Sequence, residues 1–214
     1  MITIHGRQTS SNVQVVMCAL GEMGLPHERL DVGGHFGGNT TPEYLELNPM
    51  GRVPLMQDGA LTLFESHAIL RYLCSKPEGH SLWPQDATAR AKIDQWMEWS
   101  KVNFYPVLTY KVFWQLVREN STTRNYALVA EGVAELARLL QIAEAQIAKS
   151  GWLAGDHFSL ADIAFGTHLY RYFNTEFEKH DFPHIAAYYE TLCERPAYQA
   201  HAMISFNSLR VSDD

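Results

Sequence analysis

The stretch from Leu47 to Leu70, LNPMGRVPLMQDGALTLFESHAIL, constrains this chain more than any other. Asn48-Pro49 followed by Gly51 spells a turn, because Pro fixes φ and Gly releases it. Val53-Pro54 leads into a short apolar run, Asp58-Gly59 is a hairpin signal, and Leu61-Thr62-Leu63-Phe64 reads as the returning strand. Glu65-Ser66 then opens an apolar helix, with Ser66 at the N-cap place and Ala68, Ile69, Leu70 and Leu73 behind it. A proline entering a strand withholds one ladder donor and leaves the backbone of Val53 to pair with something else. An extended peptide laid beside Val53 gains main-chain hydrogen bonds, a small case of strand addition. Its carboxylate suits the N-terminus of the following helix, where open N–H groups and the dipole favour an anion. These parts hold a short, acidic, extended peptide.

The flanking sequence supplies a sheet for that stretch. Ile2-Thr3-Ile4 alternates as a strand, and Gly6 to Asn12, GRQTSSN, is a polar loop. Val13, Val16, Met17, Leu20 and Met23 recur at helical spacing up to Gly24, a C-terminal stop. A second strand, HERLDV, follows Pro26; a glycine-rich loop follows it, and Pro42 opens a short helix through Leu47. The order β-α-β-α-β-β-α demands a mixed sheet, since the hairpin is antiparallel and the β-α-β crossover favours parallel pairing. Residues 77–85 read as a linker. Beyond it, helical periodicity runs almost throughout: one long or broken helix over residues 87–119, kinked at Pro106, and another over 122–149. Ser159 and Asp162 form a capping-box-like pair ahead of a further helix, and two shorter helices finish the chain. The division expected is 1–76 for the sheet domain and 86–214 for the all-helical domain.

Composition removes several function classes. A net charge of -7 over 214 residues gives no basic face for nucleic acid or an anionic membrane. No run is apolar enough to span a bilayer, and MITIHGRQTSSN lacks a signal peptide's apolar core. Cys18, Cys74 and Cys193 form no CxxC, and the first two fall in apolar helical patterns as buried thiols, which suits a reducing cytoplasm. His180 and His184 stand at helical spacing, but Pro183 interrupts them and no third ligand is evident, so no metal is expected.

In this order, the Val-Pro pair, the acidic-Ser pair before "HAIL" and the later LAG-x-x-FSLADIA block resemble the cytosolic glutathione transferases, and the resemblance covers nearly the whole chain. Most members carry Asn or Arg where this sequence has His67. The resemblance implies a thioredoxin-like α/β N-terminal domain and an all-α C-terminal domain. It also implies a homodimer, and glutathione as co-substrate without a metal or redox cofactor. Glu65 and Ser66 would hold the γ-glutamyl end, Val53 the backbone, and Arg52 the glycyl carboxylate. Asn39 falls near a position that is His in plant and theta relatives.

Activating a thiol of ordinary pKa near 8.5 by about 2 pH units takes roughly 2.7 kcal/mol of preference for the anion. A hydroxyl donor and a helix N-terminus supply such preference, and Thr9-Ser10-Ser11-Asn12 offers both. In theta-, phi- and zeta-like members the catalytic serine precedes a sheet-packing helix valine by six residues. Aligning on Val16 puts Ser10 there, with Ser11 and Asn12 at neighbouring positions that assist in some relatives; the alternative for Ser10 is a plain N-cap hydroxyl. For the second substrate, Phe104, Tyr105 and Trp114 belong to an aromatic stripe, with Tyr110 and Phe113, on the helix that packs across the site in the family. The expected reaction joins the glutathione thiolate to a small apolar electrophile. Glutathione-dependent isomerisation, dehalogenation or peroxide reduction on the same site is the alternative, as is a non-catalytic binding or assembly module.

Overall fold

The computed structural model describes residues 1–212. The chain divides into two compact units: Met1–Gln85 with Pro196–Ile204, and Asp86–Arg195 with the stretch from Ser205 onward.

The first unit runs β1 (Ile2–His5), α1 (Ser11–Met23), β2 (His27–Leu30), a 3-10 turn at Gly34–Phe36, α2 (Pro42–Leu47), β3 (Leu55–Asp58), β4 (Leu61–Phe64) and α3 (Ser66–Cys74). Its sheet has the order β2-β1-β3-β4. β1 is parallel to β2 and antiparallel to β3, and β3 is antiparallel to β4, the mixed thioredoxin-like sheet expected. Alternation along β1 sends Ile2 and Ile4 inward, where they meet Val13, Val16 and Leu20 of α1, Met56 of β3, and Ile69 and Leu73 of α3. Each such side chain, fully buried, stabilises by roughly 1.5–3 kcal/mol, so this cluster fixes where α1 and α3 begin.

Two boundaries fall elsewhere than the sequence suggests. Residues 77–85 join the first unit, through a 3-10 turn at Pro77–Gly79 whose glycine presses on the backbone of Cys74. The late helix α9 (Pro196–His201) also belongs to the first unit, against α1. Gly21 permits the approach: a Cβ there would lie 2.9 Å from Ala197 Cβ. Cys18 and Cys74 are buried as expected, and burial pushes the Cys74 thiol up to about 12.

The second unit is helical. α4 (Ala87–Trp99) is capped by Asp86, which accepts from Ala89 N at 2.8 Å. Pro106 produces no simple kink. The helix widens to π-helical turns at Ser100–Phe104 and Val107–Phe113, then returns to α geometry in α5 (Trp114–Val117); the ladder lacks a donor at Pro106, and the widened turns flank it. α6 (Tyr126–Ser150) packs along the second π-helical turn, where Gly132 leaves room: a Cβ would lie 2.7 Å from Lys111 Cβ. α7 (Leu160–Asn174) fills the centre and α8 (Pro183–Cys193) follows. Asp162, 0% exposed, accepts from Leu153 N and Ser159 N at 2.8 Å, Ser159 Oγ at 2.9 Å and Tyr188 OH at 3.0 Å. Burial holds its carboxyl above the ordinary carboxylate range, against the pull of those four donors. No helix among the described residues is long and apolar enough to cross a membrane.

Candidate active site

The loop from β1 to α1 is pinned along its length. Gly6 N donates to Leu30 O at 2.8 Å, Arg7 N to Val32 O at 3.0 Å and Ser10 N to Arg7 O at 3.1 Å. Arg29 Nη1 donates to Gly6 O at 2.8 Å, and Gln14 Nε2 reaches back to Gln8 O at 3.1 Å. The loop therefore delivers Ser10 to the N-cap of α1 with an extended backbone (φ -84°, ψ 121°) and only 7% exposure. Its hydroxyl makes no capping hydrogen bond. Ser11, 5% exposed, is the first helical residue, and Asn12 follows half-buried.

The turn before β3 is held equally firmly. Tyr44 OH and Asn48 Nδ2 both donate to Arg52 O at 2.7 Å, and Asn48 Oδ1 accepts from Met50 N at 3.1 Å. The Val53–Pro54 peptide bond is cis. Among the described residues, neither the N–H nor the C=O of Val53 has a hydrogen-bond partner. Gly6 brings this backbone beside α1, since a Cβ there would collide with Val13 and lie 3.2 Å from Val53 Cβ. Arg52 extends into solvent. Asn39 has a tethering duty: its Nδ2 donates to Gly51 O at 2.6 Å, tying the glycine-rich loop to the Asn48–Gly51 turn.

At the head of α3 the sequence reading is off by one residue. Glu65, not Ser66, occupies the N-cap, and Ser66 is the first helical residue. The physical reason lies in Glu65, whose carbonyl accepts from Ile69 N at 3.0 Å while its backbone sits at φ 69°, ψ 113°. It is the one non-glycine residue at positive φ among those described. Such a conformation costs of order 1–3 kcal/mol and is found where a site depends on it. The Glu65 side chain makes no cap and lies exposed, whereas Ser66 is 1% exposed and its Oγ donates to Asn12 Oδ1 at 3.2 Å. The starts of α1 and α3 are thus joined.

Asn12 at the start of α1 meets Ser66 at the start of α3, and Val53 lies with Val13 beside Gly6. Sequence reasoning missed Arg7. Its Nη1 and the Cγ1 of Val53 each lie 3.4 Å from the position of a Cβ built on Gly33, so the Arg7 guanidinium and the Val53 side chain flank the same glycine. A lone basic residue in GRQTSSN was the available signal.

In the second unit the aromatic stripe splits. Phe104 is 0% exposed, stacked on Trp99 at 6.2 Å and tilted on Phe165 at 4.8 Å between ring centroids, which makes it a core residue with no face for a ligand. Phe113 is likewise buried, against Phe206. Tyr105, Tyr110 and Trp114 form an edge-to-face series at 5.9 and 4.7 Å; Tyr105, expected at the second-substrate face, is buried at 7% exposure against His168, while Tyr110 and Trp114 are partly exposed. Lys101 and Arg118 stand over Tyr105 and Trp114 at 5.3 and 5.0 Å.

Two family models match this chain: the glutathione S-transferase N-terminal domain over residues 9–76 and the C-terminal domain over 101–196. The chain belongs to the glutathione S-transferase family. Among relatives of this transferase is GstB of Escherichia coli K12, 34% identical over 95% of this chain and 99% of its own length. Glutathione S-transferase 3 of Zea mays is 37% identical over 92% and 91% of the two chains. The theta-class transferase of Xanthomonas axonopodis pv. citri, solved with glutathione bound, superposes with a TM-score of 0.91 at 41% identity, covering 95% and 98%. As a glutathione transferase, the chain has a thioredoxin-like sheet unit and a helical unit, the latter holding the aromatic series.

Proposed function

We propose that this glutathione transferase binds glutathione along Val53 and activates its thiol through Ser10, joining the thiolate to a small apolar electrophile. The observation that carries the reading is a nearly buried Ser10 hydroxyl left out of helix capping, in the same cradle as a Val53 backbone unpaired among the described residues. The cysteinyl backbone pairs with Val53 in the manner of an added strand. The γ-glutamyl carboxylate takes the Ser66 hydroxyl and the first N–H groups of α3, and its ammonium takes Glu65. The glycyl carboxylate meets Arg52 and, through the loop tethered by Asn39, the Arg7 guanidinium. Ser10 donates to the sulfur, with Ser11 and Asn12 as the neighbouring donors. Trp114, exposed beside Tyr110, offers an apolar electrophile an aromatic face, whereas Tyr105 is buried. Detoxifying conjugation in a reducing cytoplasm, by a homodimer, completes the reading; free thiols and family membership support it.

Calorimetric titration with glutathione tests the reading. One molecule bound per subunit is expected, and Ser66→Ala should weaken it by roughly 1–3 kcal/mol through loss of a charge-assisted hydrogen bond. Absence of binding up to millimolar concentration would overturn it. Light scattering reads the dimer.

A further inference from the structure

We propose that a cavity between α1, β2 and α9, all within the first unit, binds a small monocarboxylate with an apolar body. The cavity measures about 150 Å³, and a protein cavity of roughly that size takes a benzene ring. It shares no residue with the glutathione cradle proposed above. Val13 and Met17 of α1, both buried, give it an apolar wall, while the exposed Gln8 and Ala200 mark its opening. Three polar side chains also line it, with hydrogen-bonding capacity that the fold leaves unused. Gln14, 4% exposed, donates to Gln8 O and makes no other side-chain hydrogen bond among the described residues. Arg29 gives Nη1 to Gly6 O and Asp31, and Nη2 to Asp31 at 3.5 Å; its Nε–H has no partner among the described residues. The His201 imidazole stands edge-to-face with His27, 6.1 Å between centroids, and makes no hydrogen bond among those residues either. Each of the three has an N–H to give, which selects an acceptor. Burial first, then the charges of His27 and Arg29, keep the His201 ring below the ordinary histidine range. The ring is therefore neutral at pH 7, with one N–H to donate, and the charges that move it are positive. A carboxylate suits that combination: its two oxygens accept from several donors, and its charge meets a positive field.

Benzoate is the probe, titrated into isotopically labelled protein while the resonances of His201, His27 and the Met17 methyl are followed. They should move together and saturate, with a dissociation constant of about 1 mM or tighter, within reach of so small a ligand. Benzyl alcohol presents the same ring without the charge and should bind roughly tenfold more weakly. His201→Leu should weaken benzoate about ten- to a hundredfold, the worth of one hydrogen bond to a charged group. His201→Gln keeps an N–H and should recover most of that loss. Ala200→Phe should fill the opening and abolish the shifts, while glutathione binds as it does to the parent. Equal affinity for benzoate and benzyl alcohol overturns the proposal, as does a His201→Gln loss equal to that of His201→Leu. Benzoate binding that survives Ala200→Phe unchanged also overturns it. So does a benzoate titration that leaves His201, His27 and Met17 unmoved, whatever it shifts elsewhere.

Discussion

Ser10 at the head of α1 and Ser159 at the head of α7 share a residue type, an N-cap position and near-complete burial, at 7% and 4% exposure, yet they are wired differently. Ser159 spends its hydroxyl inward, donating to Asp162, which also gathers Leu153 N, Ser159 N and Tyr188 OH. Ser10 leaves its hydroxyl out of the cap altogether. The contrast extends to the units around them. The helical unit satisfies its buried carboxylate with four donors, while the sheet unit keeps a Val53 backbone without a partner among the described residues and a Glu65 in a costly conformation. The serine at the start of α7 is absorbed into the fold's internal bonds, whereas that at the start of α1 is not used as a cap.

The largest effect expected from this contrast is on stability. Asp162→Ala strands two buried backbone donors and a tyrosine hydroxyl, each at about 1–3 kcal/mol. Denaturant unfolding should therefore show a loss of at least about 3 kcal/mol; a loss below about 1 kcal/mol would remove the contrast. Ser10→Ala should do the reverse, lowering turnover at neutral pH roughly ten- to a hundredfold while unfolding shifts little. The lost rate should partly return as pH rises and the thiol ionises unaided. If the thiolate titration of bound glutathione is unmoved in Ser10→Ala but moves in Ser11→Ala, the donor is the neighbour.

Ser159→Ala is the matched control, expected to cost about 1 kcal/mol of stability and to leave the titration of bound glutathione where it was. The smallest effect lies at the end of the hairpin, where Lys76 Nζ meets Asp58 Oδ2 at 2.6 Å and Tyr72 OH donates to the same oxygen at 2.8 Å. The Lys76 ammonium, then Tyr72, hold the Asp58 carboxyl below its usual range, and Asp58 raises Lys76. The pair's stabilisation is therefore present above the unfolded carboxylate value and lost as pH falls through the depressed folded one. At the alkaline end it fades as pH rises through the raised lysine value. Lys76→Met should cost about 0.5 kcal/mol at neutral pH and vanish as a difference in strong acid.

Much of this was legible before any coordinates. Asn48, Gly51, Pro54, the Asp58-Gly59 hairpin and the Glu65-Ser66 pair each carry a local backbone rule, and local rules are written in neighbouring residues. Where two distant segments must meet, sequence is silent. Nothing near Phe104 says that Trp99 and Phe165 cover it, because helical spacing marks an apolar face without naming its neighbour. Arg7 reaches Gly33 across a strand pairing, and the link from Ser66 to Asn12 joins two helix starts. The one-residue shift at Glu65 has a different cause: a positive φ on glutamate contradicts propensity, and propensity was the only guide.

α9 closing on α1 has a consequence for how the protein is made. The sheet unit is discontinuous in sequence, with about 110 residues of the helical unit between its two parts. On a translating ribosome, at roughly 5–20 residues per second, its last helix is delivered about 7–27 s after the strands. For that interval the Gly21 side of α1 waits without the surface that Ala197 and His201 will give it. The half of the molecule that is synthesised first thus completes its packing only near the end of synthesis, shortly before Phe206 reaches Phe113 in the helical unit.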